Sequence, residues 1–195
     1  MYIKLIETYS PANAQEAQDK KVILNYIKHF ENNVLLRDNE IAHITSSGFI
    51  MNESLDKALL VHHNIRKVWS WTGGHADGDE DLLHVSLKEA KEETGVIDIH
   101  PLTDGIASID ILPVFGHMKN SKYVNAHLHL SIAYVLIADE KNEVRICSEE
   151  NSGVEWFPID KFTQKYFDEG DVYLYNKLIS FAHIAANKTT NYLHK

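Results

Sequence analysis

The order of apolar patterns along the chain predicts one α/β (α+β) domain, a mixed β-sheet with helices on both sides. Three observations predict it. Apolar, β-rich runs recur through the middle of the chain, helical stripes stand before, within and after them, and 195 residues suffice for one sizeable core. There is no low-complexity tract, internal repeat or Pro/Gly-rich linker to divide the chain.

The elements follow in order. From about Asn13 to Phe30, Ala17, Leu24 and Ile27 fall at mixed helical spacing, with Tyr26 and Phe30 four apart. This predicts a helix ahead of the main sheet, within a helical extension of about residues 1–40. Ile41–Met51 and Lys57–His62 are apolar and β-rich around the polar Asn52-Glu53-Ser54-Leu55-Asp56, hence a hairpin. A strand, loop and helix come next. Leu83, Leu87 and Ala90 at i, i+4 and i+7 give the helix an apolar stripe, Asp77 with Glu80 loosely fits a capping box, and Gly95 suits a left-handed helix end. Ile106–Phe115 and Val124–Ala138 read as strands around the polar Gly116–Tyr123, and Val154–Phe157 as a short last strand. Val172–Ala186 reads as a C-terminal helix with Leu174, Leu178, Phe181 and Ile184 on its apolar face.

Composition excludes several classes. Apolar residues make up 44% and form no run near the ~18 of a membrane span. Met1-Tyr2-Ile3-Lys4-Leu5 lacks the start of a secretory signal, and a single cysteine, Cys147, suits a reducing compartment. The expected location is the cytoplasm, with no membrane partner. A formal charge of −9 argues against extended nucleic acid, which needs a basic face, but not against a small anionic substrate.

Chemistry concentrates between Gly74 and Val96. After Gly74 come five residues, Glu80, seven residues, and then Lys88-Glu89-Ala90-Lys91-Glu92-Glu93-Thr94-Gly95-Val96. On a helix, Glu89, Glu92 and Glu93 share one edge, where like charges repel. An oxygen-seeking divalent cation removes that penalty, so the cluster reads as a Mg²⁺ or Mn²⁺ site. A solvated acidic face would account for the charges but for neither the glycine nor the spacing.

This pattern resembles the signature of the Nudix hydrolases, with Lys88 where the family has arginine. Trp69-Ser70-Trp71-Thr72-Gly73-Gly74-His75 and Val154-Glu155-Trp156-Phe157-Pro158-Ile159-Asp160 resemble its flanking strands. Ala42-His43-Ile44-Thr45-Ser46-Ser47 and His127-Leu128-His129 are similar to one subgroup. The resemblance implies an α/β/α sandwich and a metal-dependent hydrolase that cleaves the pyrophosphate bond of a nucleoside diphosphate linked to another group. It implies Glu92 and Glu93 as metal ligands, Glu89 as ligand or general base, and Gly74 as a carbonyl ligand. Lys88 stands in the orienting position and Glu80 anchors loop and helix. The partner implied is a nucleotide or nucleoside-diphosphate derivative, with homodimerisation left open.

Candidate substrate contacts lie outside the box. His75 follows the double glycine. His127 and His129 share a strand face and are open to three roles: phosphate contact, acid–base work or a second metal. Trp71, Trp69 and Tyr123 are candidates for stacking on a base, although at least two of the three are expected in the core. Lys119 and Lys122 would add positive charge if their loop reaches the site. Glu150, like Glu149, is an acid just ahead of the last strand, suited to an extra ligand or base. The runner-up reading is a nucleotide-binding sensor on the same fold, disfavoured because all four box acids are present. Isomerisation of a prenyl diphosphate would want a cysteine upstream of the box, and Cys147 lies downstream.

Overall fold

The computed structural model describes residues 2–119 and 121–193, the side chains of 119 and 189–193 excepted. A short helix and a longer one come first, α1 (Tyr2–Thr8) and α2 (Ala14–Phe30). Asn13 caps α2 by accepting from the Glu16 N–H at 2.9 Å, so the predicted helix starts where a capping side chain was available. Strands β1 (Ala42–Met51) and β2 (Lys57–His63) form the expected hairpin. In its turn the Asn52 side chain accepts from the N–H groups of Asp56 and Lys57.

Short strands β3 (Trp69–Ser70) and β4 (Thr72–His75) lead into the box helix, α3 (Leu82–Thr94). The start of α3 corrects the sequence reading. Its cap is Asp81, which accepts from His84 N–H at 3.0 Å, while Asp77 is committed to Arg37. The buried face also differs from the expected stripe. Leu82, Val85, Ser86, Ala90, Glu93 and Thr94 are buried, and Leu83 and Leu87 only partly. The stripe was drawn through apolar residues alone, whereas the true inner face carries a carboxylate. Gly95 ends the helix at φ 73°, and a Cβ there would stand 2.8 Å from that of Arg145.

Beyond α3 come β5 (Ile99–Pro101) and β6 (Ser108–Val114). The run expected as Val124–Ala138 is divided. Lys122–Val124 is β8, paired with β7 (His117–Lys119) in a separate two-stranded ribbon, and β9 begins at His127 and runs to Ala138. The last strand, β10 (Asn151–Pro158), precedes α4 (Glu169–Leu193). On α4, Leu174 and Leu178 are buried as expected and Phe181 partly, whereas Ile184 is 56% exposed, because burial continues through Tyr175, Ile179 and Ala182 instead.

The sheet runs β10-β2-β1-β9-β5, with β4 on β1, β3 on β2 and β6 on β9. It is mixed because β1 and β9 are parallel while the other pairs are antiparallel. Alternation along the strands sorts side chains onto two faces. Ile44 and Ile50 with Leu130, Ile132 and Leu136 pack on α1, α2 and α3, and Phe49 and Met51 with Val135 and Ile137 pack on α4. The result is three layers. A buried cation ties the layers together: Lys177 Nζ on α4 lies 3.1 Å from Glu16 of α2 and 2.6 Å from Asp110 of β6. No helix of the described residues is long and apolar enough to cross a membrane.

Candidate active site

Two neighbouring residues of β4 look onto two different groups of side chains. Gly74 pairs with Ser46, whose hydroxyl donates to Leu82 O, so this face of the strand meets α3. A Cβ on Gly74 would lie 2.3 Å from the Glu89 carboxyl carbon. The glycine is therefore required for Glu89 to rest against the strand backbone, a close approach that any other residue would block.

Glu93, one turn along α3, is almost wholly buried and accepts from Gly73 N–H at 2.8 Å. The third member arrives from far along the chain. Arg145 N–H donates to Thr94 O, Asn64 N–H to Glu150 O, and Asn151 Nδ2 to Glu93 O, which fixes the segment ahead of β10 beside the end of α3. Carboxylate oxygens of Glu89, Glu93 and Glu150 consequently lie within 4.8 Å of one another.

Three acids so close are electrostatically uncomfortable without a counter-charge. Burial pushes the Glu93 carboxyl up to about 8, and the charges of Glu150, Glu89 and Glu92 push the same way against the Gly73 hydrogen bond. Burial also raises Glu89, partly offset by Lys88. An oxygen donor set that runs from buried Glu93 to exposed Glu150, seated on a glycine that leaves room for it, fits a hard divalent cation. Glu92 stands outside this trio. One residue before Glu93, it is turned about 100° around the helix, with its side chain 56% exposed. Lys88 Nζ is 3.8 Å from both Glu89 and Glu92. Glu80 borders α1, near enough for its charge to act on Tyr2.

His75, the next residue, faces away from Gly74 and meets His43, His127 and His129. The predicted pair on β9 is thus joined by His75 and by a histidine of β1 that was not singled out. Only the parallel register places His43 opposite His129. Between the two groups the Arg37 guanidinium holds Asp77 bidentately, at 2.7 and 2.6 Å. That ion pair keeps the Asp77 carboxyl below its ordinary range. Arg37 also went unremarked in the sequence, since nothing local marks it.

The remaining candidates disperse. Trp69 packs edge-on against Phe157, and half-buried Trp71 lies edge-on to Tyr175 in the α4 core. Tyr123 is 71% exposed, and Lys122 is exposed beside it on the β7–β8 ribbon. The Lys119 side chain lies outside the described residues.

With this geometry in hand the chain can be set beside known proteins. The NUDIX domain family model matches residues 42–178, which is most of the chain. The chain belongs to the NUDIX family. It is accordingly a Nudix-type pyrophosphohydrolase, a hydrolase acting on phosphoric anhydrides, and α1 and α2 precede the matched region. Among solved structures, a NUDIX-family hydrolase from Clostridium perfringens superposes with a TM-score of 0.50 at 20% identity, over 71% of this chain and 96% of that one. An Ap4A hydrolase binary complex of C. elegans does so with a TM-score of 0.50 at 15% identity, over the same shares. At such identities the likeness is one of fold. No curated protein matches the sequence.

Proposed function

We propose that this Nudix hydrolase cleaves the pyrophosphate bond of a nucleoside diphosphate linked to another group, using Mg²⁺ or Mn²⁺ held on Glu89, Glu93 and Glu150. The observation that carries this reading is the convergence of those carboxylates against Gly74, from one helix and one distant loop. When bound, the cation would polarise the phosphoryl oxygens and make water a stronger nucleophile. Glu93, immobilised by Gly73 N–H, and Glu89, pressed on the strand, are the fixed ligands. Glu150 is exposed on its loop and is the acid best able to accept a proton from attacking water and release it to solvent. Lys88 balances Glu89 and Glu92, and Arg37, beside the trio, adds positive charge where a pyrophosphate would dock.

A diadenosine polyphosphate of the type named for the C. elegans structure is one compound of this class. The test is a phosphate- and nucleotide-release screen over nucleoside diphosphate derivatives with Mg²⁺, Mn²⁺ or excess chelator. Cation-dependent cleavage of at least one such compound is expected. Hydrolysis undiminished by chelator would overturn the metal assignment, and failure on every diphosphate would overturn the substrate class.

A further inference from the structure

On the other face of β4 from the acidic trio, four histidines converge from three strands. We propose that His43, His75, His127 and His129 form a second metal site, selective for a divalent transition ion of the Zn²⁺ class. Ligand-capable nitrogens of all four lie within 4.8 Å of one another. Their rings pack closely, tilted or edge-on, with centroids 4.9 Å apart for His43–His75, 4.8 Å for His43–His127 and 5.0 Å for His75–His129.

Protonation of the rings favours coordination. His43 Nδ1 lies 2.9 Å from Asn39 O, and His127 Nδ1 lies 2.9 Å from Asn125 O. A carbonyl oxygen only accepts, so both Nδ1 atoms carry the proton and each neutral ring keeps its lone pair on Nε2. Backbone carbonyls commonly orient metal-binding histidines in this way. His43 is only 4% exposed, and its Nε2 is buried with no hydrogen-bond partner among the described residues. A lone pair left so inside a protein is costly unless something fills its place.

Distances agree. His127 Nε2 and His129 Nε2 stand 3.3 Å apart. Two nitrogens at ~2.0–2.1 Å from a tetrahedral Zn²⁺ are about 3.3–3.4 Å apart, so this pair already has the spacing of a ligand edge. An all-imidazole set suits Zn²⁺, Ni²⁺ or Cu²⁺ and offers nothing to Mg²⁺, which demands oxygen. Because β1 and β9 are hydrogen-bonded in register from Ala42↔Leu128 to Met51↔Ile137, the facing ligands His43 and His129 are held by rigid sheet.

The experiment titrates Zn²⁺ into the chelator-stripped full chain in excess Mg²⁺, with Co²⁺ as a spectroscopic stand-in. Wild type and Glu93→Gln should each bind one Zn²⁺, and Co²⁺ should give the intense visible bands of a tetrahedral site. His129→Gln and His127→Gln should lose those bands. They should also weaken Zn²⁺ by more than the ~10–100-fold that loss of an outer-shell partner costs. Circular dichroism reports folding, and if His129→Gln fails to fold, His127→Gln, at the first residue of β9, decides. Zn²⁺ affinity within about threefold of wild type in a folded histidine variant would overturn the site. So would Zn²⁺ binding that disappears in Glu93→Gln. Neither result bears on the hydrolase reading, which rests on the other cluster.

Discussion

The acidic trio and the histidine quartet occupy opposite faces of one short strand, and they were written into the chain in opposite ways. Glu89 and Glu93 lie one turn apart on α3, so their proximity follows from a helical repeat that any reader of the sequence can apply. The histidines sit on β1, β4 and β9, and their meeting depends on strand order and on a parallel register. A site on one helix is local information. A site across a sheet belongs to the fold. The difference also extends to chemistry: hard oxygen donors on one side, borderline nitrogen donors on the other.

The largest separation between the two should come from Glu93→Gln. Glutamine keeps the size and can still accept from Gly73 N–H, but it removes the buried charge that a hard cation needs. Turnover in Mg²⁺ should fall by about 10²–10³-fold, the scale seen when one transition-state-stabilising group is lost. Zn²⁺ uptake should be unchanged. Steady-state kinetics on a hydrolysed diphosphate checks it, and near-wild-type kcat would end the ligand role of Glu93.

A second contrast is the pH dependence of stability in chelator. Glu93 prefers its neutral form in the fold, with a carboxyl at about 8 against an ordinary 4.5. The folded chain thus holds a proton there that the unfolded chain has released. That stabilisation is complete below about 4.5 and is lost as pH rises through 8. His129 has the reverse sign. Its folded value near 3 lies below the ordinary 6.5, so its stabilisation is complete above about 6.5 and is lost as pH falls towards 3. Asp77, lowered by Arg37, adds to the same acid arm. Metal-free stability should therefore be greatest between about 4.5 and 6.5. On the alkaline side it should drop by a few kcal/mol, the size such a shift carries. Urea midpoints across pH measure the profile. Glu93→Gln should flatten the alkaline arm and leave the acid one, and an alkaline arm unchanged in that variant would detach it from the trio.

The same local-versus-tertiary distinction explains how much could be read in advance. Gly95 was placed correctly because a left-handed helix end is decided by a few adjacent residues. The cap expected at Asp77 fell at Asp81, because Asp77 is drawn off by distant Arg37. The long strands β1 and β9 were legible from sustained apolar runs. Strands β3, β4 and β5 run from two to four residues, too short for any period to register. The inner face of α3 was misread because Glu93 is buried there, and a reading by hydrophobicity puts charge outside. Likewise Glu150 could be suspected only as a nearby acid. Its meeting with Glu93 is made by hydrogen bonds from Asn64 and Asn151 that no spacing announces.

The smallest effect tests whether that local legibility extends to the one box position that departs from the family pattern. Lys88 Nζ lies 3.8 Å from Glu89 on one side and Glu92 on the other, and its side chain is 54% exposed. A lysine there acts as a point charge between two acids and fixes the orientation of neither. Arginine would present a planar fork able to engage Glu89 through two hydrogen bonds and hold its carboxylate more firmly against Gly74. Because the position is exposed, the extra pairing is worth only about 0.2–1 kcal/mol. Lys88→Arg should accordingly raise kcat by roughly twofold at saturating Mg²⁺, with little change in melting temperature. An unchanged kcat would reduce the residue to a surface partner of Glu92. A loss beyond about tenfold would contradict both roles, since only a compact ammonium already contacting the substrate phosphate is spoiled by a larger cation of equal charge.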